Sequence, residues 1–305
     1  MSSYLSAPHF HDEAAAFKFV EDRVWPKGPV CPHCGAMERI GKLGGKSTRQ
    51  GVYKCYDCRK PFTVRVGTIF EDSHVALKFW LQAIFLIASS KKGISSNQLH
   101  RTLGVTLKTA WFMSHRVREA MKDGHDDKLG GPETSGIVEA DETYFGKTKG
   151  FGKGAHPNKK QKVVALVERK GRVRSFHMPT ITAETVKPVL QGQIEQNVRL
   201  MTDGAGLYEK IGKTFASHET VNHAAGEYAR GDVTTNTVEG FFGILKMGIG
   251  GVYQHVSPQH FHRYLSEFDF RYSNRKKLGI EDGERADILL QGVVGKRLTY
   301  QTVVA

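Results

Sequence analysis

Three carboxylates in this chain are spaced for work on a phosphodiester. They are Asp141 in IVEADETYFG, Asp203 in RLMTDGAG and Glu239 in TTNTVEGFFGILK, with Lys246 seven residues beyond Glu239. Carboxylates bind Mg²⁺ or Mn²⁺, which prefer hard oxygen ligands, and two such ions side by side can activate an attacking oxygen and stabilise a leaving one. In that chemistry Asp141 would bridge both ions, Asp203 and Glu239 would each complete one, and Lys246 would remain to touch a phosphate. Any single acid among the 31 of this sequence is most simply solvated or a helix cap. The argument for chemistry rests on the set.

The set requires elements that bring distant residues together. Asp141 and Asp203 each close an apolar run that reads as a strand, while Glu239 and Lys246 lie two turns apart on one face of an expected helix. The polar, Gly-rich stretch KDGHDDKLGGPETSG (122–136) lacks apolar periodicity and marks a domain boundary. After it, IVEAD, KVVALVER and VRSFHMP read as strands, and ITAETVKPVLQGQIEQN reads as a helix despite Pro188. RLMTD follows as a strand, GLYEKIG as a helix, ETVNH as a strand and TNTVEGFFGILKMGI as a helix. The order βββαβαβα is that of the α/β ribonuclease-H-like fold, a mixed sheet whose first and fourth strands are neighbours. Asp141 and Asp203 would then meet, and Glu239 would arrive on the last helix. This catalytic domain is expected over 126–280, followed by a C-terminal tail over 281–305 that suggests no function.

A second cluster lies near the start. All four cysteines fall in CPHCG (Cys31, Cys34) and CYDC (Cys55, Cys58), with twenty residues between the pairs. In a chain showing no secretion signal, two Cys-x-x-Cys pairs read as four thiolates for one structural Zn²⁺ rather than as disulfides. The turn-rich GKLGGKS between short strand-like pieces fits a zinc ribbon, assigned to 1–66. A redox dithiol is the alternative, but it needs one pair and not two.

Residues 67–125 read as helical. In TIFEDSHVALKFWLQAIFLIASS, Leu77, Trp80, Leu81, Ile84 and Phe85 recur at helical spacing until Gly93. ISSNQLHRTLGVTLKTAWFMSHRVREAM then follows a helix-turn-helix pattern: Ser95 or Ser96 as first cap, Gly104 in the turn, Thr106 as second cap. In that motif the start of the second helix enters the major groove, which nominates Thr106, Lys108 and Thr109 for bases, with His115, Arg116 and Arg118 toward phosphates. A hairpin of helices that only packs is the alternative.

The 44 Lys and Arg against 31 acids give a net charge of +13. Clustered cations gain affinity for a polyanion by releasing its counterions, so DNA is the expected partner. No apolar run is long enough for a membrane span and no secretion signal is visible, so the expected location is the cytoplasm, at the nucleoid. GKLGGK is not a P-loop, and no nucleotide cofactor is expected. The lysine-rich GKTKGFGKGAHPNKKQK, with Lys147, Lys149, Lys153, Lys159, Lys160 and Lys162, is a candidate DNA clamp or else a solvated turn. Glu142 should point away from Asp141 if the strand continues. His218 reads as structural, and His223 as either structural or close to the metal site. The stripe Phe261, Tyr264, Leu265, Phe268 and Tyr272 reads as a helix packed on the sheet.

With these residues in view, the chain resembles the ISXO2-like DDE transposases of insertion sequences. TNTVEGFFGILKMGIGGVYQHVSPQHFHRYLSEFDFRYSNR, VEADETYFGKTKG, LMTDGAG and VNHAAGEYARGD resemble that group's blocks, and the zinc ribbon followed by helices fits as well. The resemblance spans about residues 10–275. It implies Mg²⁺-dependent release of DNA 3′ ends and their attack on target DNA, with terminal inverted repeats as the specific partner and a homo-oligomer on DNA. Group members carry Asn or Glu at the third acidic position, and here Asn236 and Glu239 sit one helical turn apart. Glu239 is preferred, as the better metal ligand and the one with Lys246 at i+7, with Asn236 a nearby ligand or DNA contact. A metal-dependent nuclease of the same fold, and a non-catalytic DNA-binding regulator, are the competing readings.

Overall fold

Several helix starts in this protein are set by side chains that accept amide protons lacking an intrahelical partner. Asp12 accepts from Ala15 N at 2.7 Å and opens α1 (Glu13–Val24). The ribbon strands β1 (Ile40–Lys42), β2 (Tyr53–Cys55) and β3 (Pro61–Phe62) pair antiparallel in that order. Trp25, Tyr53 and Phe62 pack against one another beside Cys31 and Cys55, a small core for a unit too short to build a large one. Helix α2 (Leu77–Ser89) follows Ala76, which offers no cap; the carboxylate of Glu13 accepts from Leu77 N (2.8 Å) and Lys78 N (3.1 Å) instead. Leu77, Trp80, Leu81 and Ile84 are buried. Ser95 caps α3 (Ser96–Leu103) and Thr106 caps α4 (Leu107–Ala120); between them Gly104 takes φ 68°, a left-handed turn that a side chain would strain.

The computed structural model describes residues 3–122, 124, 126–146 and 160–298. The chain divides into two compact units, Met1–Lys122 with Ile280–Ala305, and Asp123–Gly279. The helix Asp282–Gln291 therefore belongs with the N-terminal unit, where Arg285 donates to Ala88 O at the end of α2. Among the described residues no helix is long and apolar enough to cross a membrane.

The second unit is a five-stranded mixed sheet with helices. Its strands are β4 (Ile137–Phe145), β5 (Gln161–Glu168) and β6 (Val173–Met178), then α5 (Ala183–Gln193), β7 (Arg199–Asp203), α6 (Gly206–Gly212) and β8 (Ser217–Val221). The spatial order is β6-β5-β4-β7-β8, with β4, β5 and β6 antiparallel and β4, β7 and β8 parallel. Two short strands, β9 (Ala229–Arg230) and β10 (Val233–Thr234), lead into α7 (Asn236–Gly248), a π-helical turn (Ile249–Tyr253) and α8 (Pro258–Ser273). Alternation along the strands builds two cores. Val138, Ala140, Val164 and Leu166 pack with Val186 and Leu190 of α5 and Tyr208 of α6. Phe145, Val163, Ala165 and Val167 pack with Phe241 and Leu245 of α7 and Phe261, Leu265 and Phe268 of α8. The aromatic stripe of α8 is thus core.

Candidate active site and metal centre

The parallel pairing of β4 and β7 ends with Ala140 against Thr202, and Asp141 and Asp203 are the residues that directly follow this last pair on the two strands. Paired side chains on neighbouring strands point to the same face, with backbones about 4.8 Å apart. Asp203 Oδ1 accepts from Ala205 N at 3.1 Å, which fixes the carboxylate at the strand's end. Residues 139, 141, 143 and 145 of β4 share the face that carries α7, and Glu239 stands in the first turn of that helix.

Burial first, and then the charges of Asp203, Glu142 and Glu239, push the Asp141 carboxyl up to about 7, although the Glu142 amide donates to it at 2.7 Å. Burial does most of this and the neighbouring carboxylates add to it, and a set of carboxylate oxygens suits hard divalent cations. Asp141, Asp203 and Glu239 are the residues that could hold them. The set is more open than the cysteine cluster: among the described residues, the four thiols form the group of metal-competent side chains whose donors all lie within 4.8 Å of one another.

Glu239 is held rather than adrift. Its Oε1 accepts from Thr235 Oγ1 at 2.8 Å and lies 3.1 Å from His223 Nε2, and His223 Nε2 is 3.0 Å from Thr235 Oγ1. Asn236 is exposed at the start of α7, and Lys246 is exposed in its last turn. Glu142 points to the opposite face, where Tyr208 Oη donates to it at 2.8 Å; burial, chiefly, raises its carboxyl as well. His218 Nε2 meets Thr202 Oγ1 at 2.9 Å, and its burial lowers the imidazole pKa.

In the N-terminal unit the four cysteines converge. Cys31 and Cys58 sulfurs are 3.6 Å apart and Cys34 and Cys55 sulfurs 3.7 Å. A tetrahedral Zn–S₄ centre with bonds of about 2.3 Å has edges of about 3.8 Å, whereas a disulfide is about 2.05 Å. The thiols therefore fit zinc and not a redox pair. Each knuckle turns through a left-handed residue directly after its second cysteine, Gly35 at φ 78° and Arg59 at φ 62°. Protein purified without added metal is expected to contain one Zn²⁺ per chain, measured by elemental analysis, and the Cys31→Ser/Cys34→Ser double variant none. Full zinc in that variant would remove these cysteines from the ligand set.

Other nominated residues fare differently. Thr106 and Lys108 are exposed at the start of α4 and Thr109 is half-buried. Arg116, expected on a phosphate, is buried: its guanidinium donates to Ile69 O at 2.7 Å, Glu71 O at 2.6 Å and Leu298 O at 3.1 Å. His115 and Arg118 are equally buried, Arg118 donating to Ser114 Oγ. Arg116 ties α4 to the segments at Ile69, Glu71 and Leu298, and all three side chains are corrected from DNA contacts to interior groups. Lys147, Lys149, Lys153 and Lys159 of the clamp lie outside the described residues; Lys160 is exposed, and Lys162 donates to Pro179 O at 2.9 Å. Sequence reasoning passed over Glu139, Arg169 and Thr235, which surround the start of α7. The signal for Glu139 was its place two residues before Asp141, on the same face of the strand.

Two family models match parts of the chain. Residues 133–273 match the ISXO2-like transposase domain, and residues 11–61 match the transposase zinc-ribbon domain. The chain is similar to an uncharacterized protein in transposable element ISH50 of Halobacterium salinarum, 28% identical over 289 residues, 89% of this chain and 95% of the relative.

Proposed function

From the premise that this chain carries an ISXO2-like transposase domain and a transposase zinc ribbon, we propose that it is an insertion-sequence transposase that cuts DNA at the element's ends and joins them to target DNA. The observation that carries this reading is that Asp141 and Asp203 directly follow the last pair of the β4–β7 ladder, Ala140 with Thr202, with Glu239 on the helix packed over the same face. The sheet order and the βββαβαβα sequence support a ribonuclease-H-like fold. Asp141, Asp203 and Glu239 would hold two Mg²⁺ or Mn²⁺ ions, which when bound activate the attacking oxygen and stabilise the leaving one.

The chain's own groups do the rest. Thr235 and His223 orient the Glu239 carboxylate, Ala205 N orients Asp203, and the exposed Lys246 supplies a cation for a phosphate beside the site. Helices α3 and α4, capped by Ser95 and Thr106 around the turn at Gly104, serve as a helix-turn-helix. Its groove-facing residues are Thr106, Lys108 and Thr109, which read the terminal inverted repeats. The protein acts at the nucleoid as a homo-oligomer that holds two ends.

Two measurements bear on the DNA contacts. Thr109→Ala together with Lys108→Ala should weaken binding to the inverted repeats more than to unrelated duplex; equal losses would leave α4 without a reading role. Lys159→Ala/Lys160→Ala should weaken binding to any duplex and reduce the salt slope by about one to two, in proportion to the phosphates released. An unchanged slope would return that segment to solvated surface. The proposal as a whole is tested by cleavage and joining of labelled end DNA in Mg²⁺ by wild type and by Asp141→Ala.

A further inference from the structure

We propose that Glu139 is a positioning residue: it caps α7 from the strand that carries Asp141 and thereby sets Glu239 against Asp141. The inference rests on the reading of those two acids as metal ligands. Glu139 is fully buried and accepts four hydrogen bonds. Thr237 N (2.8 Å) and Val238 N (3.0 Å) donate to one oxygen, and Thr237 Oγ1 (2.8 Å) and Arg169 Nε (2.7 Å) donate to the other.

Thr237 N and Val238 N belong to the first turn of α7, where amides have no intrahelical partner and the helix dipole favours negative charge. A helix start usually takes these protons onto the side chain of the preceding residue. Here that residue is Thr235, and its side chain makes no such cap bond. Its hydroxyl donates to Glu239 instead. The local cap has been diverted to orient the third carboxylate, and a carboxylate 98 positions earlier in the chain replaces it.

Two further links tighten the arrangement. Arg169 also donates to Asp232 O (2.7 Å) and Thr234 O (3.0 Å), so the ion pair of Glu139 pins the segment leading into α7. Glu139 and Asp141 lie on one face of β4, so a fixed Glu139–α7 contact leaves little freedom in the Asp141–Glu239 separation. In the N-terminal unit Glu13 caps α2 in a similar way, but Ala76 precedes that helix and no local cap has been diverted. What distinguishes Glu139 is that the helix it caps carries an acid of the site.

The test uses the full-length protein with Glu139→Gln, Thr237→Val and Asp141→Asn. Two readouts are taken: amide exchange over residues 235–240 without metal, and Mn²⁺ affinity by electron paramagnetic resonance. Glu139→Gln should speed exchange at Thr237 and Val238 and weaken Mn²⁺ binding by about tenfold, the usual effect of losing a group that orients a ligand. Thr237→Val, which removes one donor without charge, should move Mn²⁺ affinity in the same direction by less. Asp141→Asn should lose Mn²⁺ while its exchange over 235–240 stays slow.

Unchanged exchange in Glu139→Gln would overturn the cap. Faster exchange with wild-type Mn²⁺ affinity would reduce Glu139 to an ordinary structural cap and overturn the positioning role. If Glu139→Gln does not fold, Thr237→Val decides, and unchanged Mn²⁺ affinity there overturns the proposal. Wild-type Mn²⁺ affinity in Asp141→Asn would instead sink the two-metal reading and leave the cap standing.

Discussion

Replacing Glu239 by Gln is expected to lower DNA cleavage by about a thousandfold or more, because a ligand lost from a two-metal site removes several kcal/mol of charge stabilisation in the transition state. Binding to the inverted repeats should stay within about threefold of wild type, since α4 and the zinc ribbon are in the other unit and phosphate contacts dominate DNA affinity. Asn236→Ala should keep most cleavage. Both side chains are exposed in the first turn of α7, but the Glu239 carboxylate is held by Thr235 and His223. Gel-resolved cleavage by both variants decides between them. A dead Asn236→Ala beside an active Glu239→Gln would transfer the third ligand to Asn236.

The second large effect is on stability. Asp141 has an ordinary value of 3.8 that burial, with the neighbouring acids, raises to about 7 in the folded protein. The folded state therefore binds more protons than the unfolded state between these values, so this group's contribution to stability falls as pH rises through that window and stays low above it. Three pKa units correspond to at most roughly 4 kcal/mol. In chelator at pH 8, Asp141→Asn should melt several degrees above wild type, with the gap closing toward pH 4. Added Mg²⁺ should raise the wild-type Tm and leave that of Asp141→Asn nearly unmoved, because only a folded site that binds the ion is stabilised by it. An Asn variant less stable than wild type at pH 8 in chelator would contradict this account of Asp141.

Which parts of this were legible in sequence follows from how local each signal is. Alternation in IVEADETYF and the apolar run in KVVALVE specify strands because each turns one or two faces to a core. Ser95, Gly104 and Thr106 are readable because capping and left-handed turns act over three or four residues. The Cys-x-x-Cys pairs are readable for the same reason, and the four sulfurs do converge.

Arg116 and Arg118 were misread because polarity was taken for exposure. The carbonyls of Ile69 and Glu71, more than forty residues earlier, need donors, and only the folded chain shows that Arg116 supplies them. Glu139 was passed over for the same reason, since its partners Thr237 and Val238 are nearly a hundred residues away. The strands Ala229–Arg230 and Val233–Thr234 are two residues each, too short for any periodic pattern.

The account turns on Asp141 acting in DNA chemistry. The most direct measurement incubates wild type and Asp141→Ala with labelled DNA carrying the flanking inverted repeats, a plasmid target and Mg²⁺. Cleaved and joined products from wild type alone are the predicted result. Cleavage without joining would make the protein a nuclease. End binding without chemistry in Mg²⁺ or Mn²⁺, or equal products from Asp141→Ala, would contradict the account.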